Sequence, residues 1–276
     1  MDNLAVRVSS EELDQFITSF YQNGNAVQKS RDLSIIHLLN GITLVIACDS
    51  NASNGEKELD THPNSVQEVA VSALKVPLME VIASGAKPLV IVNNLCVEMN
   101  SYGKRIIDQM RMELARCGLL ERVQLTGSTE DNMLTRQTGI GVTVIGIVQT
   151  DKLRAGTSQP GDVVVCIGIP QSGIDVPYSE FSADVAKIDT VLRLDSLNYV
   201  HEILPIGSKG VRYEAIELAR VAGLRFEESK TTANIDFTCS AGASTAVLVS
   251  IESTLLPELK SCMELPCHVV GTLKAN

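Results

Sequence analysis

The sequence predicts an α/β protein built from two units, and three observations carry that expectation. Residues of the AVILMFWYC set make up 45% of the 276 positions, and they gather in short runs such as LVIACD, LVIVNNL and VVVCIGI that close on Gly, Pro, Asn or Ser, as buried strands do. Between these runs lie segments with apolar residues at i, i+3, i+4 and i+7, two of them opened by capping boxes. The length exceeds that of a usual single core, and the turn-rich stretch TSQPGD at 157–162 lies near the middle. These features place a boundary near 150–160 and divide the chain into units 1–150 and 151–276.

Taken in order, Ser9-Ser10-Glu11-Glu12 caps a leading helix with Leu13, Phe16, Ile17 and Phe20 on one face. Segments 33–39 and 43–49 flank the Asn40-Gly41 turn signal and form a hairpin whose second strand is expected to end on Asp49. Ser65 and Glu68 cap a long helix carrying Val69, Ala73, Val76, Met79, Ile82 and Ala83, with a kink expected at Pro77 and a stop at Gly85. A strand at 89–97, a helix at 104–117 stopped by Gly118, and strands at 123–127 and 139–148 complete the first unit. The second unit is expected to hold strands at VVVCIGI, 199–206, 245–251 and 267–272, with helices near 213–222 and 255–263.

A formal net charge of −10 argues against a general nucleic-acid or anionic-membrane surface. No apolar run approaches the roughly 20 residues that span a bilayer, and the segment MDNLAVRVSSEE has neither a basic nor an apolar signal region, so the expectation is a cytoplasmic protein. Seven cysteines form no CxxC pair and mostly sit in apolar segments, which reads as buried, reduced thiols. A small phosphorylated ligand stays compatible with the acidic chain if a divalent cation offsets its charge.

Carboxylates recur where apolar elements join: Asp32 before a strand, Asp49 at a strand end, Glu80 inside an apolar helix, and Glu130-Asp131 after Gly127-Ser128-Thr129. Hard cations favour oxygen ligands of this kind, while caps, turns and solvated faces use the same residues. Glu80 stands apart because Leu78, Met79, Val81 and Ile82 surround it, and a charge so placed needs a partner, a metal or a solvent-facing side. The loop Ser50-Asn51-Ala52-Ser53-Asn54-Gly55, with Lys57 beyond it, suits either a phosphate cradle or a plain surface turn. Gly207-Ser208-Lys209-Gly210 precedes a helix and suits an anion or a connection, without Walker A spacing. GxSxG, HExxH, GxGxxG and the kinase HRD and DFG motifs are absent, and the four histidines have no metal spacing.

The ordered strings RDLSII (31–36), LVIACDS (44–50), ALKVPLMEVIASGAKPLVIVNNL (73–95), LTGSTEDN (125–132) with TGIGVTVIG, PGD (160–162) and ILPIGSKGVRYEA (203–215) resemble the AIR-synthase-like superfamily over nearly the whole chain. That superfamily includes aminoimidazole-ribotide synthetase, thiamine-monophosphate kinase, selenophosphate synthetase and a hydrogenase-maturation dehydratase. Within it, RDLS, VIACDSNAS, PLMEV, VEM and GSTEDN are similar to the α-ribazole kinase branch of cobalamin salvage. The resemblance implies a two-domain fold, with an N-terminal mixed sheet that closes a barrel in a homodimer and a C-terminal α/β sandwich. It also implies ATP and Mg²⁺ as cofactors and a small-molecule acceptor such as α-ribazole.

The resemblance maps Asp32, Asp49 and Glu80 onto residues that contact magnesium and nucleotide phosphates, and Glu130 is expected as a fourth metal ligand; Asp49 and Glu80 are then expected to serve catalysis, and Asp49, Ser50, Lys57, Gly127, Ser128, Thr129 and Arg136 to bind nucleotide. Ser208, Lys209 and Gly210, at the N-terminal side of a helix, are expected to contact an anionic or polyhydroxylated part of a ligand, and Lys57, Lys75 and Arg136 are cationic candidates for the phosphate charge by their proximity in sequence alone. Three departures from the family pattern stand out. Glu80 replaces the usual Asp and Met79 the Asn before it, Ser128 replaces an acid that Glu130 or Asp131 must then supply, and Asn51-Ala52-Ser53-Asn54 replaces a Gly-rich loop. Residues 22–30 hold no Cys and the chain ends in TLKAN, which argues against the selenophosphate synthetase and dehydratase activities. A kinase, a cyclo-ligase or a nucleotide-binding relative without turnover remains.

Overall fold

The computed structural model describes residues 9–22, 27–172, 178–230 and 235–276. Helix α1 (Ser10–Gln22) begins with the expected reciprocal cap. The Glu12 amide donates to Ser9 Oγ at 3.2 Å, and the Ser9 amide donates to Glu12 Oε2 at 2.9 Å. None of its residues is buried, and Leu13 and Ile17 of its apolar stripe are 47% and 45% exposed.

Strands β1 (Gln28–Ser30), β2 (Leu33–His37) and β3 (Ile42–Ala52) form consecutive hairpins. Asn40 and Gly41, at φ 60 and 68, supply the two left-handed residues that a tight hairpin turn requires. Strand β3 continues three residues beyond Asp49, because its pairing with the later strand persists to Ala52↔Gly139. The strand therefore does not end on Asp49. Two-residue strands β4 (Asn54–Gly55) and β5 (His62–Pro63) tie the following loop to itself.

Helix α2 (Val66–Ala83) is capped by Ser65, whose side chain accepts the Glu68 amide, and it runs through Pro77 as one element. All but three of its 18 residues are buried, the signature of a helix enclosed on every side. Strand β6 (Lys87–Leu95), helix α3 (Lys104–Arg116), and strands β7 (Gln124–Thr129) and β8 (Gly139–Gln149) follow. The first sheet has the order β1-β2-β3-β8-β6-β7, antiparallel except for the β6–β7 pair.

The remaining elements are β9 (Val163–Ile167), α4 (Ile188–Asp195), β10 (Val200–Pro205), α5 (Gly210–Val221), β11 (Leu224–Glu228), β12 (Val247–Ile251), α6 (Leu256–Cys262) and β13 (Cys267–Ala275). The strands form a second, antiparallel sheet ordered β10-β12-β9-β13-β11. Helix α2 touches β3 and β8 on one side and α4 and β10 on the other. Its Leu74, Leu78 and Ile82 join Val45, Ile91 and Val144 of the first sheet and Val165, Ile203 and Val249 of the second in one apolar core. Fully burying such a side chain contributes about 1.5–3 kcal/mol, so the helix that carries Glu80 is also what binds the layers together.

The central strands β3 and β8 alternate: Val45, Ala47, Val142 and Val144 face the helices, whereas Leu44, Ile46, Ile145 and Ile147 on the opposite face are only half-buried. Cysteine burial departs from expectation. Cys166 is buried, Cys48 and Cys96 are exposed, and the other four are intermediate, because Cys48 falls on the open side of β3 and Cys96 just past the end of β6. Among the described residues no helix is long and apolar enough to cross a membrane.

Candidate functional site

The tight turn between β1 and β2 holds Arg31, at φ 53, and the exposed Asp32. Asp49 lies on the same face of β3 as Val45 and Ala47, the face that meets α2 and hence Glu80. Glu80 is only 6% exposed, and its Oε2 has no hydrogen-bond partner among the described residues. Burial pushes its pKa up to about 8; Arg31 opposes the shift, while Asp32, Glu214 and Asp49 add to it. Burial likewise raises Glu214, on α5, to about 7, again opposed by Arg31 and increased by Asp32. The same cause raises Asp49, opposed by its hydrogen bond with Ser50 and increased by Asp32. Four carboxylates from a turn, a strand and two helices thus lie near Arg31, whose buried Nε and Nη1 have no hydrogen-bond partner among the described residues.

The turn Ser208-Lys209-Gly210 at the start of α5 approaches this group from the second sheet's side. Lys209 Nζ lies 4.2 Å from the Tyr213 ring centroid, and its pKa is raised first by Tyr213, then by the charges of Glu214 and Asp32. Gly210, at φ 79, is required here, because a Cβ would stand 2.7 Å from the Cys239 carbonyl and 3.0 Å from that of Phe237.

Beside the carboxylates, and sharing Asp49 with them, lies a cavity of about 450 Å³. Its walls are the run from Asp49 to Asn54, Glu68 and Ser72 of α2, and Tyr178, Glu180 and Gly242 from the C-terminal half. Glu68 accepts from Ser179 Oγ at 2.5 Å and from the Glu180 amide at 2.7 Å. Glu180 accepts from Tyr178 Oη at 3.1 Å and from Lys75 Nζ. Lys75 is 1% and Glu180 3% exposed; burial pushes the lysine down and the carboxyl up, and each charge opposes the other's shift.

The remaining predicted residues are placed elsewhere. Ser50, Gly141, Asn94 and Ser128 form one register row across β3, β8, β6 and β7, so Ser50 and Ser128 share the open face of the sheet. Gly127 has no room for a side chain, since a Cβ would lie 1.8 Å from the Asn93 carbonyl oxygen. Thr129 Oγ1 donates to Asp131 at 2.9 Å, and Glu130 accepts from the Asn132 amide at 2.8 Å. Glu130 therefore belongs to the turn that closes the β7 edge, not to the group around Glu80.

Lys57 is held by Glu98 and the Thr135 carbonyl, and that lysine is the main reason the Glu98 pKa falls to about 2. Arg136 binds Glu58 through two bonds, at 2.6 and 3.2 Å. Lys57, Arg136 and Lys75 are each thus occupied by a carboxylate. Sequence reasoning missed Glu214, Tyr178 and Glu180, and treated Glu68 only as a cap. The apolar run ILPIGSKGV before Glu214 was the one signal available for it.

No group of three His, Cys, Asp or Glu among the described residues could by itself hold a metal ion. Mg²⁺ nevertheless typically takes only one or two carboxylates, completing its shell with water and phosphate oxygens. The unpaired, buried Glu80 Oε2 and the hard-oxygen donors Asp32, Asp49 and Glu214 fit that manner of binding.

The raised Glu80 pKa has a consequence for the metal-free protein. A carboxyl whose folded pKa lies above its unfolded value of 4.5 binds more protons folded than unfolded, so its contribution to stability is full below 4.5 and is lost as pH rises towards about 8. In EDTA, the melting midpoint of the wild type should therefore fall relative to Glu80→Gln by about 5 °C or more between pH 5.5 and 8.5. Parallel melting curves would show that Glu80 is solvated.

No family model and no curated protein matches the sequence. Solved structures do match in shape. The thiamine-monophosphate kinase from Stenotrophomonas maltophilia superposes with a TM-score of 0.63 at 14% identity, covering 96% of this chain and 93% of its own. AaThiL complexed with AMPPCP and TMP gives 0.63 at 16% identity, with coverages of 99% and 94%. T. maritima PurL complexed with ATP gives 0.65 at 16% identity, over 98% of this chain and 49% of that one. At these identities the likeness is one of fold, and the chain has the AIR-synthase-like fold of these proteins.

Proposed function

We propose that this protein is an ATP- and Mg²⁺-dependent kinase that phosphorylates a hydroxyl of a small, nucleoside-like acceptor, with α-ribazole as the first candidate. The observation that carries the reading is that Asp49 belongs both to the carboxylate group around Glu80 and to the wall of a ligand-sized cavity. Such a place suits phosphoryl transfer, where catalysis rests on alignment and charge neutralisation. The fold's occurrence in AaThiL with AMPPCP and in PurL with ATP supports a nucleotide as donor. Unit 1–150 would bind the nucleotide, with its phosphates near Asp49 and the Ser50–Ser128 row, and unit 151–276 would contribute Lys209 and the far wall of the cavity.

Bound Mg²⁺ would offset phosphate charge that the neutralised Lys57 and Arg136 cannot. Asp32, Asp49 and Glu80 would hold it, with Glu214 beside them. The half-buried Leu44, Ile46, Ile145 and Ile147 on the open sheet face suit a homodimer, for which sedimentation across a hundredfold range of concentration is the test.

ATP analogues should raise the thermal midpoint only with Mg²⁺ present, because converging carboxylates repel a bare triphosphate. An equal shift in excess EDTA would remove the carboxylates from the nucleotide site. ATP consumption that depends on α-ribazole tests the reaction itself. Mg²⁺-dependent ATP binding with no turnover, for α-ribazole or thiamine monophosphate, would mark a silent relative.

A further inference from the structure

The cavity beside Asp49 presents three carboxylates, Asp49, Glu68 and Glu180, and no Lys or Arg among its described lining residues. Lys75, the cation just behind the wall, is engaged by Glu180 and sealed from solvent. His62 is the one imidazole among the described lining residues. The other polar groups are hydroxyls and amides, with Asn51 Nδ2 donating to Ser72 Oγ at 2.9 Å.

The far wall is fixed in place. Glu68 and Lys75 lie two turns apart on α2 and together grip residues 179 and 180. A carboxylate accepts about four hydrogen bonds, and two donors reach Glu68. That leaves acceptor capacity for hydroxyls of a ligand. A phosphomonoester dianion would instead lose its hydration against like charges, and this penalty is what separates acceptors here.

We infer, resting on the kinase reading, that this cavity is the acceptor subsite, and that Glu68, Tyr178 and Glu180 select a hydroxyl-bearing acceptor without phosphate and reject phosphomonoesters. Isothermal titration of the full chain in EDTA, without nucleotide, tests it with two matched pairs: α-ribazole against α-ribazole 5′-phosphate, and thiamine against thiamine monophosphate. In at least one pair the alcohol should bind at least tenfold more tightly than its phosphate. Glu68→Gln, which keeps shape and removes charge, should narrow that ratio about threefold to tenfold. Tyr178→Phe should weaken the alcohol about threefold or more, while a urea melt of each variant shows an intact fold. Binding of a phosphate as tight as that of its alcohol in both pairs, no binding by either alcohol, or an unchanged ratio in Glu68→Gln would each overturn the inference. If the alcohol binds, Tyr178→Phe weakens it and ATP is still not consumed, the kinase reading falls and the selectivity assignment stands.

Discussion

Asp49→Asn is expected to lower turnover by about a hundredfold or more, the scale of losing a charge that serves the transition state, without lowering stability. Asp49 is half-buried, carries a pKa raised by burial, and adds unfavourable charge to Glu80. Its neutral isostere relieves repulsion within the group and keeps its shape. A structural carboxylate replaced in this way would instead cost about 1 kcal/mol. The measurement is ATP consumption with α-ribazole beside a urea melt of the same preparation. Unimpaired turnover would remove Asp49 from the reaction, and lost stability would assign it to the scaffold.

Lys75→Met should produce the largest loss of stability, about 3–5 kcal/mol, the range for stranding one member of a buried ion pair. Glu180 would keep its Tyr178 bond but face an apolar side chain in place of the ammonium group. The double variant Lys75→Met/Glu180→Leu should recover most of the loss, since an apolar pair of similar volume replaces a buried ion pair at little cost. Urea unfolding of the three proteins decides it; a single variant within about 1 kcal/mol of wild type would mean the pair is hydrated.

Much of the fold was legible because its signals are local. Asn40-Gly41 announces the β2–β3 hairpin, Ser65 and Glu68 the start of α2, and Gly85 and Gly118 helix ends. The short helix α4 and strand β11 were not legible, since IDTVLRLD and LRFEE lack a periodic run long enough to declare a type. Asp32, Asp49 and Glu80 do come together, but Glu214 joins them from α5, more than 130 residues beyond Glu80, and no local pattern reports a contact at that distance. Lys75 misled for a related reason. On a helix buried on all sides, periodicity does not say which neighbour a side chain meets, and the lysine points to Glu180 rather than to phosphate. Glu130 resembled a ligand by its position in LTGSTEDN, yet its carboxylate closes the turn after an edge strand.

The centre of the first sheet also constrains how the chain can reach this structure. Strand β3 pairs with β8 from Ala52↔Gly139 to Ile42↔Gln149, so its main partner lies 87 to 107 residues downstream (139 − 52 and 149 − 42). Closing a loop of that length precedes any reward from the contact. During synthesis Leu44, Val45 and Ile46 must wait as a strand with one satisfied edge, from β2, until β8 has left the ribosome, an interval of about 5–20 s at usual elongation rates. Nascent chains halted before residue 139 would expose that apolar edge, so this stretch needs protection while synthesis continues.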